Sequence, residues 1–221
     1  MKINRHFSTF LFIACLIFTT TIFAQFGIPD VAESDTKTIE AVQKDQDKLV
    51  EDYTAYTLEL TDAQIYMADA FALTAESADL KKLKEKLSSG KNLSKEEFEK
   101  QRALNSKAQK NIDEKMSADT PLSDESKTLF SKGLPPYINS VKNAKKTAEQ
   151  AEKTLKKTQK ALESASALDK AKITDASDMI TFLAPKIPED AAVMTSTGTK
   201  YISFAEKHGM EVPANAMDAF K

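Results

Sequence analysis

From Ile39 the apolar and aromatic side chains recur in alternating steps of three and four, at Ile39, Val42, Leu49, Tyr53, Tyr56, Leu60, Ala63, Met67 and Ala70, with Gln46 as the one polar member. An α-helix turns once in about 3.6 residues, so these steps hold one stripe of side chains on one face and form a heptad seam. The frame slips between Met67 and Leu73, and Leu80, Leu83 and Leu87 continue on a shifted line. The spacing predicts one continuous helix over about residues 36–87 that changes partner along its length. Such a helix is roughly 78 Å long at 1.5 Å per residue, so the molecule is expected to be elongated.

Ser88-Ser89-Gly90-Lys91-Asn92 ends that helix, and the next start is well marked. Ser94 and Glu97 stand as a capping box, each side chain placed to take the other residue's free backbone N–H, with Leu93 and Phe98 where a hydrophobic staple belongs. The second helix carries a thin stripe of Leu104, Ala108, Ile112 and Met116, enough to cover the first helix from one side only. Thr120-Pro121 breaks the pattern. A short helix over Ser123 to Lys132 is expected to close at Gly133, and Pro135-Pro136 to open a third long helix. In that helix Val141, Ala144, Ala148, Ala151, Leu155, Thr158, Leu162 and Ala165 form an alanine-rich seam, which permits close approach but buries little area per residue.

The last fifty residues differ in texture. Met179, Ile180, Phe182 and Leu183 end at Pro185; Pro188 starts a helix containing Val193, Tyr201, Ile202 and Phe204, and Gly209 closes it before Val212-Pro213 and a short amphipathic end. Gly198, among Thr195, Ser196, Thr197 and Thr199, predicts a bend or break. No stretch alternates with period two long enough for a strand. The fold class is therefore all-α: an elongated antiparallel helical bundle with coiled-coil character over 36–167 and a smaller C-terminal helical segment at 168–221, preceded by an extended segment at 25–35.

The N-terminus has a different chemistry. Lys2 and Arg5 precede the apolar run Phe10 to Phe23, and Ala24 stands before Gln25, the three-part layout of a secretory signal peptide over residues 1–24. Ile22 is bulkier than the usual small residue near the cut. The apolar run, diluted by Thr19, Thr20 and Thr21, is short for a membrane span, which needs about 20 such residues. Phe12-Ile13-Ala14 before Cys15 is a poor approach for lipidation. The mature chain is thus expected to be periplasmic or secreted. It then has no cysteine and one histidine, His208, so disulfides cannot hold it together. Loss of Lys2 and Arg5 leaves 29 basic against 33 acidic residues, a charge of −4 that steers nothing globally.

Catalytic and cofactor chemistry finds little to stand on, and no cofactor is expected. One histidine and no thiol leave a metal only carboxylates, and no loop has the Asp/Asn spacing of a calcium site. His208 directly precedes Gly209 at a helix end, where it caps exposed carbonyls. Thr197-Gly198-Thr199-Lys200 lacks the upstream glycine of a phosphate loop. Glu59, Asp62 and Glu76 are candidate carboxylates, but Glu-Ser at 76–77 also occurs at 33–34 and 163–164, as expected of solvated helix faces.

Two features rise above this background. Lys142, Lys146, Lys153, Lys156, Lys157 and Lys160 fall on the outer face opposite the alanine seam, a candidate contact for anionic lipid or glycan. Tyr53, Tyr56, Tyr66, Met67 and Phe71 are core by default but also a candidate partner groove, since phenol tips want partners. No nucleic acid is expected, because no aromatics interleave with the lysines. The leading expectation is an exported non-enzymatic interaction or structural protein that binds a protein partner, itself or an anionic envelope surface. A membrane-active helical protein and a carboxylate-dependent cell-wall or glycan hydrolase are the rival readings.

Overall fold

The computed structural model describes residues 31–90 and 93–221, with side chains from Thr36 onward. The signal segment 1–24, its cut after Ala24, Cys15 and residues 25–30 lie outside the described residues. Within the described residues the chain is an all-α bundle without a strand. Residues 31–35, expected to be extended, are the first turn of α1, which spans Val31–Ala70.

The frame of the bundle is α1 paired antiparallel with α4, Asp124–Ser164; they have 40 and 41 residues, about 60 Å each at 1.5 Å per residue. The heptad seam of α1 is buried from Val42 through Leu49, Tyr53, Tyr56, Leu60, Ala63 and Met67 to Ala70. Gln46, its polar exception, uses its Oε1 to accept the backbone N–H of Met179 at 2.7 Å, tying a C-terminal helix to α1. On α4 the facing residues are small: Gly133, Ser140, Ala144, Thr147, Ala151, Thr154 and Thr158 are all buried. Close approach is the result, and Ser140 Oγ donates to the Tyr56 carbonyl at 2.7 Å.

The long helix expected over 36–87 is two helices. After Ala70 the chain turns at Ala72, φ 54°, with Leu73 N–H bonded to the Ala68 carbonyl at 2.8 Å, and α2, Thr74–Ser88, folds back along α1. The slip in the seam is therefore a change of direction. Leu80, Leu83 and Leu87 of α2 form a small second core with Ile65 and Ala108, while Lys81–Asp69 and Lys84–Asp62 bridge the hairpin outside it.

The capping box starts α3, Lys95–Ser117, as its sequence predicts: Ser94 and Glu97 satisfy each other's backbone N–H. The expected break at Gly133 is absent, and α4 runs through Gly133, Pro135 and Pro136. Phe130, Leu134, Tyr137 and Ile138 are all buried around that stretch, so packing keeps helical a segment whose prolines forgo two backbone donors. α5 (Ala167–Ala176), α6 (Asp178–Leu183) and α7 (Lys186–Lys207) then lie against the α1–α4 pair.

α7 is unbroken at Gly198, against the expected bend. A Cβ there would stand 2.1 Å from the Phe220 ring, so the glycine is a notch for the terminal 3₁₀ turn, Ala216–Phe220. His208 is the C-cap residue of α7 through its backbone N–H, but its ring turns to Asp119 instead of the exposed helix carbonyls, and Gly209 closes the helix at φ 65°.

Candidate functional site

A cleft of about 820 Å³ lies between α3 and α7, floored by α1. It exists because α3 packs thinly. Its inward line is Phe98, Gln101, Asn105, Ala108 and Ile112, in which two of five core positions are carboxamides and one is alanine. Side chains, rather than packed backbones, span the gap to α7. Arg102 makes a bidentate pair with Asp190, Nη2 to Oδ1 at 2.7 Å. Further along, Gln109 Nε2 donates to Tyr201 Oη, and at the far end Lys207 and His208 reach Asp119 at 2.7 and 3.0 Å. A second, smaller depression of about 450 Å³ continues the trough toward Asp119 and Lys207.

Tyr53, Tyr56, Thr57, Leu60 and Gln64 of α1 line the floor. The two phenols are pushed up from their ordinary value, chiefly by burial, so both stay protonated donors across the physiological range. Tyr56 Oη faces the Asp190 carboxylate, and the two groups act on each other's protons. Gln64 Nε2 donates to the Asn105 carbonyl at 3.1 Å, but its Oε1 has no partner, and neither end of the Gln101 amide has one. Burial also raises the Asp190 carboxyl, against the opposing pull of Arg102, and raises Asp113 further along the trough.

The candidate tyrosine groove is divided by the structure. Tyr53 and Tyr56 reach the cleft floor as a T-shaped pair 5.1 Å apart. Met67 sits in the core beside Gly133, Phe71 stacks with Phe130 and Phe204 in the core, and Tyr66 is half-buried.

The lysine face is exposed along α4, with Lys156 paired to Glu152 and Lys157 to Asp45 of α1. Lys142, Lys146, Lys153 and Lys160 make no salt bridge among the described residues. The three candidate carboxylates each bridge to a neighbouring helix: Glu59 accepts from Asn143, Asp62 from Lys84 and Glu76 from Asn111.

The cleft residues Gln101 and Asn105 were not singled out from the sequence. Their signal was there: Phe98, Gln101, Asn105, Ala108 and Ile112 keep the same three-and-four steps as the α1 seam. Admitting polar members, as Gln46 was admitted, finds the line; counting only apolar ones shifts it to Leu104 and Met116, which are half-buried.

No helix of the described residues is long and apolar enough to cross a membrane. Compared with family models, curated proteins and solved structures, the chain matches none.

Proposed function

We propose that the protein is an exported, non-enzymatic interaction protein of the cell envelope whose working surface is the α3–α7 cleft. The observation that carries this reading is the cleft itself, about 820 Å³ between α3 and α7, with three polar atoms buried beneath it that have no partner, Gln64 Oε1 and both amide atoms of Gln101. Folded proteins pair almost all such groups, and each orphan costs about 1–3 kcal/mol. Three of them gathered beneath one cleft are a local cost to stability, of the kind that proteins carry at functional sites.

Hydrogen exchange tests the reading. The full mature chain is compared alone and with peptide, glycan and lipid fractions of its own envelope. Slowed exchange over 101–117 with one fraction supports the cleft as the working surface, and unchanged exchange with all of them sinks it. The address is tested separately by N-terminal sequencing, which should read from Gln25 in the envelope fraction. An intact Met1 terminus in the cytosol would remove the exported part.

The line of Lys142, Lys146, Lys153 and Lys160 favours a second reading, attachment to an anionic surface. Co-sedimentation with anionic vesicles that persists after all four are changed to Gln would end it.

A further inference from the structure

We propose that the exposed lysine stripe of α4 holds a linear acidic polysaccharide, one with a carboxylate on alternate sugars, laid along the helix axis. The inference rests on the reading of this face as an anionic contact and names the partner.

Geometry is the first argument. At about 100° per residue, Lys142, Lys146, Lys153 and Lys160 fall within about 40° of arc on α4, opposite the buried Ala144, Ala151 and Thr158. They extend over about 27 Å of the helix. All four are exposed, and none makes a salt bridge among the described residues. Their neighbours Lys156 and Lys157 already serve Glu152 and Asp45, so the charge left for a guest is a narrow line.

A narrow line suits a chain better than a flat surface. On the α1 side it is edged by Asp45, Asp52 and Glu59, placed at seven-residue steps, of which Asp45 and Glu59 bond to Lys157 and Asn143 of α4. At its start Asp218 stands close enough to feel the Lys142 charge. An anionic bilayer meets these acids together with the lysines and is repelled by them. Interfacial proteins offset such a cost by burying apolar side chains among the lipids. Here the large exposed hydrophobics, Leu168, Val193 and Met217, belong to α5, α7 and the terminal turn, and none to α4.

Spacing sets the charge density of the guest. Lys146, Lys153 and Lys160 follow one another at seven residues, about 10.5 Å, which is the length of an extended disaccharide. Glu149 stands exposed between the first two, on the same side of the helix. A dense polyanion, such as a nucleic-acid strand with a charge about every 3.4 Å, is forced against Glu149. A glycan with acid on alternate sugars passes it with a neutral one. Asn139 and Gln150 lie beside the stripe and offer carboxamides to sugar hydroxyls. No aromatic residue occurs over 139–165, so charge and hydroxyl contacts hold the guest in place of ring stacking, and binding is salt-sensitive.

The test titrates a hyaluronan octasaccharide, which bears a carboxylate on alternate sugars, into the full mature chain in isotope-labelled form. Saturable amide shifts along the outer face of α4 are expected. Affinity should fall between about 0.01 M and about 0.15 M salt, as the screening length shrinks from roughly 30 Å to roughly 8 Å. Changing Lys146, Lys153 and Lys160 together to Gln should weaken binding about tenfold. The same change at Lys82, Lys100 and Lys107, exposed on α2 and α3, removes equal charge and should leave affinity within about twofold. Both variants should melt with the parent, because lysine and glutamine have similar helix propensities. Equal affinity of the parent and the stripe variant, or equal losses in the two variants, would overturn the stripe. Inorganic polyphosphate or phosphatidylglycerol vesicles bound through the stripe more tightly than the glycan would overturn the glycan assignment and leave the face as an anionic contact. No binding of any of the three probes would remove both.

Discussion

Arg102 on α3 and Asp190 on α7 form a bidentate pair across the cleft, with Arg102 Nη2 2.7 Å from Oδ1 and Nε 3.2 and 3.3 Å from the two carboxylate oxygens. The tie holds one wall to the other where few apolar contacts do. It is held against a desolvation cost, visible in the raised Asp190 carboxyl.

Arg102→Met should therefore destabilise the protein. Breaking a fully buried ion pair by removing one partner costs about 3–5 kcal/mol. These side chains are 24% and 23% exposed, so solvent screening reduces the expected loss to about 1–3 kcal/mol. A carboxyl raised above its unfolded value of 3.8 favours the native state below that pH, and the advantage is lost as pH rises through the folded value. Without Arg102 the carboxyl is raised further, so urea midpoints of the variant should fall more steeply than the parent's as pH rises above about 4. Equal midpoints across the range would show that the pair does not hold α3.

Glu97 should work in the opposite sense. Lys86 and the Ser94 backbone and hydroxyl hold its carboxyl down to about 2, from 4.5. A depressed carboxyl contributes stability that is present above the unfolded value and is lost as pH falls through the folded one. Protection of the backbone amides in the first turns of α3, taken relative to their intrinsic exchange rates, should fall between pH 4.5 and about 2 in the parent. Glu97→Gln should show unchanged protection over that window, and the same loss of protection in the variant would clear Glu97 of the effect.

The fold was legible where one local rule settled the outcome. The α1 seam follows from period alone, the Ser94–Glu97 start from paired capping groups, and the end of α7 from Gly209. Tertiary packing decided the rest. Gly133, Pro135 and Pro136 read as punctuation, yet burial of Phe130, Leu134 and Tyr137 carries α4 through them. Gly198 reads as a hinge and serves as a slot for Phe220. The turn at Ala72 has neither glycine nor proline, so the slipped seam was its only mark. The cleft was hidden because it is made by what α3 lacks, apolar bulk at Gln101 and Asn105.

Ala72→Gly should stabilise the α1–α2 turn. Ala72 is exposed and sits at φ 54°, a left-handed conformation that costs a residue with a Cβ about 1–2 kcal/mol. Glycine removes that strain but adds about 0.4–1 kcal/mol of unfolded-state entropy. The balance favours glycine by up to about 1.5 kcal/mol, read as a higher urea midpoint with an unchanged slope. A lower midpoint would mean that the turn is not strained.

Gly133→Ala tests the closeness of the α1–α4 pair. In an ordinary helix this change gains about 1 kcal/mol from propensity. Here the new Cβ would lie 2.9 Å from the Ala63 carbonyl oxygen and 3.1 Å from Met67 Cγ. Met67 can rotate away, but the Ala63 oxygen belongs to the α1 backbone and moves only with that helix. Overpacking of this kind costs about 1–3 kcal/mol, so the net effect should range from near neutral to about 2 kcal/mol of destabilisation. For a chain of this size each kcal/mol corresponds to about 2–4 °C in melting temperature. The Ser140–Tyr56 bond, about two turns away on α4, gives a local readout: if the helices part, exchange around Tyr56 and Ser140 should quicken. A higher melting temperature with that exchange unchanged would show that α1 and α4 can separate at Gly133 without cost, and the small-residue seam would then not be what holds them close.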